Sequence, residues 1–95
     1  MIIKELSIIF PIYNEENRLK RNLYKITKLF NSFKLIKIEI ILVNDGSSDQ
    51  THKIINEYLD SLKKKYIKNK IKYICYKKNM GKGYALKKGI KKCLK

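Results

Sequence analysis

The chain has 95 residues, a length that forms at most one domain with a modest hydrophobic core. Lys and Arg total 23 against 8 Asp and Glu, giving a formal net charge of +15, and a hydrophobic fraction of 44% excludes a disordered charged tail. No apolar run approaches the roughly 20 residues of a membrane-spanning helix. Two cysteines and one histidine exclude a disulfide framework and a four-ligand zinc site, so we expect a reducing, cytoplasmic location.

The first part of the chain reads as a strand followed by a helix. Residues 6–12 form a nearly continuous apolar run, which is typical of a strand buried on both faces. A polar turn follows at residues 13–17. Apolar side chains then recur at helical spacing and predict an amphipathic helix, through Leu19, Leu23, Ile26, Phe30 and Phe33.

The same plan repeats twice more. Residues 38–43 predict a second buried strand, and Ser47 with Gln50 predicts a capping box that opens a second helix. The apolar face of that helix comprises Ile54, Ile55, Tyr58, Leu59, Leu62 and Tyr66. Residues 71–76 predict a third strand, residues 79–83 a loop, and a last helix is lined by Leu86, Ile90, Cys93 and Leu94.

The order β-α-β-α-β-α predicts an α/β fold, a Rossmann-like parallel sheet with right-handed crossovers. If the strand order is 3-2-1, the first strand lies on an open edge that another strand should cover. Three strands are few for such a fold. We therefore interpret residues 1–95 as a single, incomplete domain, the first half of a larger one.

Three loops follow the carboxyl ends of the predicted strands, at residues 11–17, 44–49 and 77–83. Ligands bind at this edge of open α/β sheets, so the loops should converge on one crevice. No Gly-x-Gly-x-x-Gly follows the first strand, and Gly81-Lys82-Gly83 lacks the spacing of a P-loop. These absences disfavour a dinucleotide-dependent dehydrogenase and a P-loop NTPase.

Three segments carry a resemblance to a known family. SIIFPIYNEENRL (residues 7–19), IILVNDGSSDQT (residues 40–51) and NMGKGYALKKG (residues 79–89) resemble, in order and spacing, the N-terminal half of family 2 glycosyltransferases of the GT-A fold. The wording of the first and third segments is most similar to dolichyl-phosphate β-glucosyltransferases, followed by dolichyl-phosphate mannose synthases. One departure is that Asn44 stands where many members have a first aspartate before Asp45.

The resemblance implies a nucleotide-sugar site. Pro11 and Tyr13 would form the wall around the base, and Glu15 would lie beside the nucleoside. Val43 would present backbone groups beside the base, and Asp45 would accept a hydrogen bond from a ring N–H of the base. The last implied residue is Lys82, which would neutralise diphosphate charge together with the start of the last helix.

For the complete enzyme, the resemblance implies transfer of a hexose, glucose favoured, to a polyprenyl or dolichyl phosphate or another glycan acceptor. UDP-glucose is the favoured donor and GDP-mannose the second choice. A divalent cation, Mg²⁺ or Mn²⁺, is expected with an Asp-x-Asp motif. No Asp-x-Asp occurs here, and the last acidic residue is Asp60. We therefore expect catalytic residues and metal ligands outside this chain, which alone should be inactive.

The basic second half allows other interpretations. Residues 63–95 contain 14 lysines and no acidic residue, interleaved with tyrosines, a composition that also suits a nucleic-acid-binding module without enzymatic activity. Tyr73 and Tyr76 should face opposite sides of their strand, which disfavours nucleic acid as a partner. Basic segments also gain about 1 kcal/mol per residue near anionic membranes, favouring peripheral association with the cytoplasmic face of a membrane. The plainest alternative is a solvated, lysine-rich exterior.

Four further polar or sulfur-containing residues have simple structural interpretations. Asp49 is expected at a helix N-terminus, and His52 on an exposed helix face. Cys75 and Cys93 are expected to face the core as free thiols.

Overall fold

A computed structural model of the protein describes residues 5–32, 37–62 and 70–93. The elements alternate in chain order: β1 (Glu5–Ile12), α1 (Leu19–Ser32), β2 (Lys37–Asp45), α2 (Thr51–Ser61), β3 (Ile71–Tyr76) and α3 (Lys82–Lys92). The three strands form one parallel sheet in the order β1-β2-β3. The predicted Rossmann-like α/β architecture is confirmed. No helix in the described part of the chain has the length and hydrophobicity needed to cross a bilayer.

The middle strand, β2, lies at the centre of the hydrophobic core. It pairs with β1 from Glu5↔Lys37 to Ile12↔Asn44 and with β3 from Ile40↔Ile71 to Asp45↔Tyr76. Every β2 residue after Lys37 is buried. A strand that is hydrogen-bonded on both edges and covered on both faces needs the continuous apolar run that the sequence contains.

The two faces of the sheet carry separate clusters. On one face, Ile40 and Leu42 pack against Leu19, Leu23 and Ile55, which belong to α1 and α2. The other face holds a smaller cluster in which Ile41 and Val43 lie under Ala85 of α3. Tyr73 packs on the first cluster and Tyr76 on the second, as their opposite orientations in β3 predicted.

The first strand differs from its prediction as a strand buried on both faces. It is an edge strand among the described residues, and its burial ranges from exposed at Glu5 to buried only at Ile12. The expected open edge at β1 is confirmed, and that edge is the physical reason for the incomplete burial.

The contact face of α3 also differs from the prediction. Ile90 is 63% exposed, while Ala85 and Gly89 are the buried residues of this helix. A Cβ built on Gly89 would lie 2.5 Å from Cγ2 of Ile9 in β1. The two small residues, one turn apart, let the α3 backbone approach the sheet closely, while Ile90 faces solvent and Leu86 stays partly buried.

Several other predictions are decided by the described side chains. Cys75 is exposed, contrary to its expected core position, because β3 is the other edge of the described sheet, while Cys93 is partly buried against the smaller cluster. Ile54, Tyr58, Leu59 and Leu62 pack against the larger cluster as predicted. Phe33, Tyr66, Leu94 and the side chain of Phe30 lie outside the described residues.

A salt bridge ties the amino-terminal half of the sheet to the end of α3. Lys72 Nζ lies 2.9 Å from Oε2 of Glu39, whose Oε1 accepts a hydrogen bond from the Ser7 hydroxyl at 3.2 Å. The same ammonium donates to the carbonyl of Lys92, in the last turn of α3, at 3.0 Å. One lysine of β3 therefore holds a buried carboxylate and a helix C-terminus together.

The close approach of α3 generates a paired substitution test. Gly89→Ala is expected to lower the free energy of unfolding by about 1–3 kcal/mol, because its methyl group would overlap the β-branched side chain of Ile9. Gly83→Ala is the matched control, since a Cβ there meets nothing within 4 Å. Helix propensity alone makes that control neutral or stabilising by up to about 1 kcal/mol. Urea denaturation of both variants measures the difference, and equal stabilities would contradict the described packing.

Candidate functional site

The three loops at the carboxyl edge of the sheet meet, as predicted, and the second loop is their common partner. The backbone amides of Asn14 and Glu15 donate to Oγ of Ser47 and Oγ1 of Thr51, both at 3.0 Å. The amide of Glu16 donates to Oδ2 of Asp49 at 3.3 Å. Three consecutive amides of the first loop are therefore satisfied by side chains of the second loop and of the first residue of α2.

Asn14 makes this junction reciprocal. Its φ is 45°, a left-handed conformation that asparagine tolerates better than most residues. Its Oδ1 accepts from the amide of Ser48 at 2.8 Å, and its backbone amide donates to Ser47. The first and second loops are thus joined by hydrogen bonds in both directions.

The start of α2 differs from the predicted capping box. The helix begins at Thr51 and its N-cap residue, Gln50, makes no side-chain capping hydrogen bond. Asp49 Oδ1 instead accepts from the amide of Thr51 at 2.9 Å, which fits the expected helix N-terminal position of Asp49. Ser47 lies three residues before this N-cap, too far away to cap the helix, and its hydroxyl accepts from the amide of Asn14 in the first loop instead.

Asp45 joins the second loop to the third. Its Oδ1 accepts from the amide of Met80 at 2.9 Å, and its Oδ2 accepts from the amide of Gly81 and from Nδ2 of Asn79, both at 2.9 Å. Burial opposes ionisation of this carboxyl, but the nearby Tyr76 hydroxyl and hydrogen bonds from the amides of Met80 and Gly81 outweigh it and lower its pKa. Asp45 is therefore an ionised carboxylate that is only 3% exposed.

A pocket of about 660 Å³ lies where the first strand's loop meets the start of α3. Five of the six residues predicted for the nucleotide-sugar site line it: Pro11, Tyr13, Glu15, Asp45 and Lys82. The remaining wall is apolar and consists of Ile9, Ile12 and Leu86. The fold thus brings predicted residues as far apart in the sequence as Pro11 and Lys82 to one cavity.

The side chains of the pocket differ in exposure. The Tyr13 ring is 47% exposed, and Lys82 is also exposed, at the first residue of α3. Glu15 is half-buried, and its Oε1 lies 3.8 Å from Nη2 of Arg18, a loose ion pair at the rim. The pocket therefore offers an accessible aromatic face, a carboxylate and an ammonium.

Val43 does not line the pocket. It is fully buried between Pro11 and Ile74 in the sheet, and its side chain packs with Ile41 under Ala85. Val43 lies two residues before Asp45, which is the last residue of β2.

Asn44 stands where many proteins with this motif have a first aspartate. Its side chain makes contacts on the face of the sheet that carries the larger cluster. Its Oδ1 accepts from the amide of Ser47 at 3.2 Å, and its Nδ2 donates to the hydroxyl of Tyr73 at 3.0 Å. That hydroxyl is also 2.7 Å from Nδ1 of His52, whose exposed ring stacks on Tyr73. Burial, partly offset by the Asn44 hydrogen bond, raises the pKa of Tyr73 to about 12. An aspartate could not supply the N–H that Asn44 donates here.

Sequence reasoning did not identify three residues that make the loop junctions: Asn14, Thr51 and Asn79. Each makes its hydrogen bond to a partner 34 to 36 positions away. Asparagine after a strand and threonine at a helix start are common turn and cap residues, so local pattern gives them no distinct signal.

A divalent cation has no evident ligand set here. Within residues 5–32, 37–62 and 70–93, no three His, Cys, Asp or Glu side chains cluster as metal ligands would. Asp45 and Asp49 accept backbone hydrogen bonds from different loops instead. The described residues therefore do not fit a metal site.

Comparison with known proteins identifies the family. The chain matches Glycosyl transferase family 2 over residues 7–95. It belongs to that family. The family 2 assignment agrees with the parallel α/β sheet, and nothing in it favours the nucleic-acid-binding alternative.

Several relatives within family 2 are similar over most of the chain. The chain is 38% identical to human dolichyl-phosphate beta-glucosyltransferase over 91 residues, 92% of this chain and 27% of the human protein. It is 40% identical to the Dictyostelium discoideum protein of the same name over 89 residues, 90% of this chain and 26% of that protein. A prophage bactoprenol glucosyl transferase homolog of Escherichia coli is 38% identical over 52 residues, 55% of this chain and 17% of that protein. The chain thus spans about a quarter of the length of the dolichyl-phosphate relatives.

The ionised Asp45 generates a pH-dependent stability prediction. Asp45→Asn is expected to lower the free energy of unfolding by about 2–3 kcal/mol near neutral pH, because an amide NH₂ would face one of the donating backbone amides. The folded pKa lies below the ordinary 3.8, so this stabilisation is complete above that value and is lost as the pH falls through the folded pKa. Denaturation at several pH values from about 7 to about 3 measures the free energy of unfolding of parent and variant. The difference between the two should become smaller as the pH falls.

Asp60→Asn is the control for that series, because Asp60 lies on the exposed surface of α2. It should match the parent at every pH. A parent–Asp45→Asn difference that stays constant into acid would contradict an ionised, hydrogen-bonded Asp45.

The buried Thr51 hydroxyl generates a second stability prediction. Thr51→Val keeps the shape of the side chain but leaves the Glu15 amide without its acceptor, so it is expected to cost about 1–3 kcal/mol. Thr51→Ser keeps the oxygen and should recover most of the loss. Thermal unfolding of the two variants provides the comparison, and a Thr51→Val variant as stable as the parent would contradict a role for this hydroxyl.

Proposed function

We propose that this chain forms the nucleotide-sugar-binding part of a hexosyltransferase, with the pocket between the first loop and α3 as the donor site. The observation that carries the proposal is the convergence of Tyr13, Glu15, Asp45 and Lys82 on one cavity at the carboxyl edge of a parallel sheet. This edge is where open α/β sheets bind ligands. The dolichyl-phosphate and bactoprenol glucosyltransferase names of the relatives support glucose as the transferred sugar.

Each pocket residue has a role that its surroundings support. The exposed Tyr13 ring, with Pro11 beside it, offers a stacking surface for the base. The Glu15 carboxylate accepts from hydroxyl groups of the nucleoside. Val43 fixes the backbone behind the base, at the fully buried centre of the sheet.

The diphosphate belongs at the other end of the pocket. Lys82 is a cation at the first position of α3, next to backbone amides that have no carbonyl partner within the helix. A phosphate bound there meets both the ammonium and the positive end of the helix dipole. Asp45 lines the same pocket, and we assign its carboxylate to the base side of the donor.

The acceptor and the remaining machinery are part of the same proposal. We assign the complete enzyme a polyprenyl phosphate acceptor, a UDP-glucose donor and peripheral association with the cytoplasmic face of a membrane, where lysine-rich surfaces meet anionic lipids. GDP-mannose is the alternative donor. The expected Mg²⁺ or Mn²⁺ would be held by residues outside the described ones.

Nucleotide titration tests the donor site. UDP added to the chain should shift the NMR resonances of the first and third loops. Lys82→Ala should weaken UDP binding about tenfold, equivalent to about 1.4 kcal/mol, through loss of a charge-assisted contact. Lys87→Ala is the matched control, because Lys87 is an exposed lysine of the same helix that does not line the pocket.

The ligand series separates the alternatives. Tighter binding of UDP than GDP supports glucosyl transfer, and the reverse order supports mannosyl transfer. Equal effects of the two lysine substitutions would show that UDP responds only to net charge, and would contradict the donor site. Binding of single-stranded DNA with a steep salt dependence, and no response to UDP, would support the nucleic-acid alternative instead.

A further inference from the structure

The charges of the protein are distributed unequally over its helices. α3 carries five lysines and no acidic residue, and four of these lysines are exposed: Lys82, Lys87, Lys91 and Lys92. α2 has the same length but carries one lysine against one glutamate and one aspartate. The side of the sheet that α3 covers therefore presents a concentrated positive charge.

The acidic residues of the central strand do not offset this charge at the surface. Glu39 and Asp45 are both buried in β2. Glu39 is paired with Lys72, and Asp45 accepts hydrogen bonds from backbone amides that precede α3. No lysine of α3 forms an ion pair with another described residue. The ammonium groups on the outer side of this helix are therefore available to an anionic partner.

The outer side of α3 also exposes an aliphatic side chain. Ala85 and Gly89 face the sheet, and at 3.6 residues per turn Lys87, Ile90 and Lys91 lie on the opposite side of the helix. Ile90 is 63% exposed, the largest fraction among the large hydrophobic side chains of the described residues. A single exposed isoleucine is ordinary, but this one lies between two lysines. Such a combination suits a lipid surface, where lysine stems follow the apolar layer and their ammonium groups reach the headgroups.

Nucleic acid fits this surface less well than lipid does. Single strands bind where exposed aromatic faces accept stacked bases. The Tyr84 ring packs against Tyr76 in a T-shaped arrangement with 5.3 Å between the centroids, and Nζ of Lys88 lies 5.4 Å from the centre of the Tyr84 ring. The aromatic ring of α3 is thus already in contact with two side chains, while the accessible side chain is the aliphatic Ile90.

We propose that the outer side of α3, with Lys87, Ile90 and Lys91, docks on the surface of a bilayer that contains anionic phospholipids. The two lysines contact the headgroups, and Ile90 enters the apolar layer beneath them. This docking surface stands on the charge and exposure of α3 alone.

The consequence of docking for sugar transfer rests on the proposed function. α3 begins at Lys82, which lines the donor pocket, and its 11 residues measure about 16 Å along the helix axis. A bilayer along the outer side of α3 therefore brings the phosphate of a lipid-borne acceptor within roughly that distance of the donor pocket.

Vesicle co-sedimentation tests the docking surface. The chain should bind vesicles of phosphatidylcholine mixed with phosphatidylserine and should not bind pure phosphatidylcholine. Lys87→Ala combined with Lys91→Ala should weaken this binding at least about tenfold, because each lysine near an anionic surface contributes roughly fivefold. Lys20→Ala combined with Lys25→Ala is the matched control, since these exposed lysines of α1 lie on the other face of the sheet and their loss gives the same net charge. The control should weaken binding less than about threefold.

A fluorescent probe tests the insertion of Ile90. The sequence has no tryptophan, so Ile90→Trp places a single probe on the outer side of α3. Tyr24→Trp places the same probe on α1, where Tyr24 is also exposed. On the mixed vesicles, the Ile90→Trp emission should shift to the blue and be quenched by lipids with brominated acyl chains. The Tyr24→Trp emission should keep its position and intensity.

Four outcomes would overturn the docking surface. These are no binding of the parent chain to the mixed vesicles, equal weakening by the two lysine pairs, an Ile90→Trp emission that the vesicles leave unchanged, and single-stranded DNA binding that replaces vesicle binding and depends on Lys87 and Lys91. UDP titration separates this proposal from the proposed function. A chain that docks through α3 but binds no UDP contradicts the donor site alone, and a chain that binds UDP but no vesicle contradicts the docking surface alone.

Discussion

Hydrogen bonds from backbone amides of the first and third loops to side chains between Asp45 and Thr51 hold this site together. Ser47, Asp49 and Thr51 receive three consecutive amides of the first loop, and Asp45 receives two of the third. None of these segments is held by a sheet ladder at that point. Asp45 ends β2, the strand paired on both sides, and the other acceptors follow it closely in the chain, so the most constrained backbone of the fold positions the two less constrained loops.

The composition of the pocket follows from this arrangement of loops. The first loop contributes an aromatic ring and a carboxylate, and the third contributes a lysine at a helix start. The second loop contributes mainly hydrogen-bond acceptors that face its neighbours. The second loop therefore fixes the geometry of the site, and the first and third loops supply the side chains that can contact a ligand. Family membership agrees with the donor site that we propose for this pocket.

The sequence was informative where a single strand or helix determines the outcome. The continuous apolar run at residues 38–43 predicted the buried centre of the sheet, and the alternation of strands and helices predicted that the sheet is parallel. Five of the six predicted site residues reached one pocket because parallel strands end at the same edge. Periodicity failed at α3, where size decided the contact: Ala85 and Gly89 face the sheet, and Ile90 faces solvent. The loop junctions were missed because their partners are more than 30 residues apart, and nothing in a local pattern links Thr51 to Glu15 or Asn79 to Asp45.

The two ends of α3 are held by opposite charges from neighbouring strands. Asp45 accepts the amides just before the helix, and Lys72 donates to a carbonyl of its last turn. An anion at the amino end and a cation at the carboxyl end both offset part of the field of the helix macrodipole. An anionic ligand that binds at this helix start therefore meets a dipole that Asp45 already partly compensates. More of the attraction then comes from side chains, which gives the ammonium of Lys82 a weight that one lysine among 21 would not otherwise have.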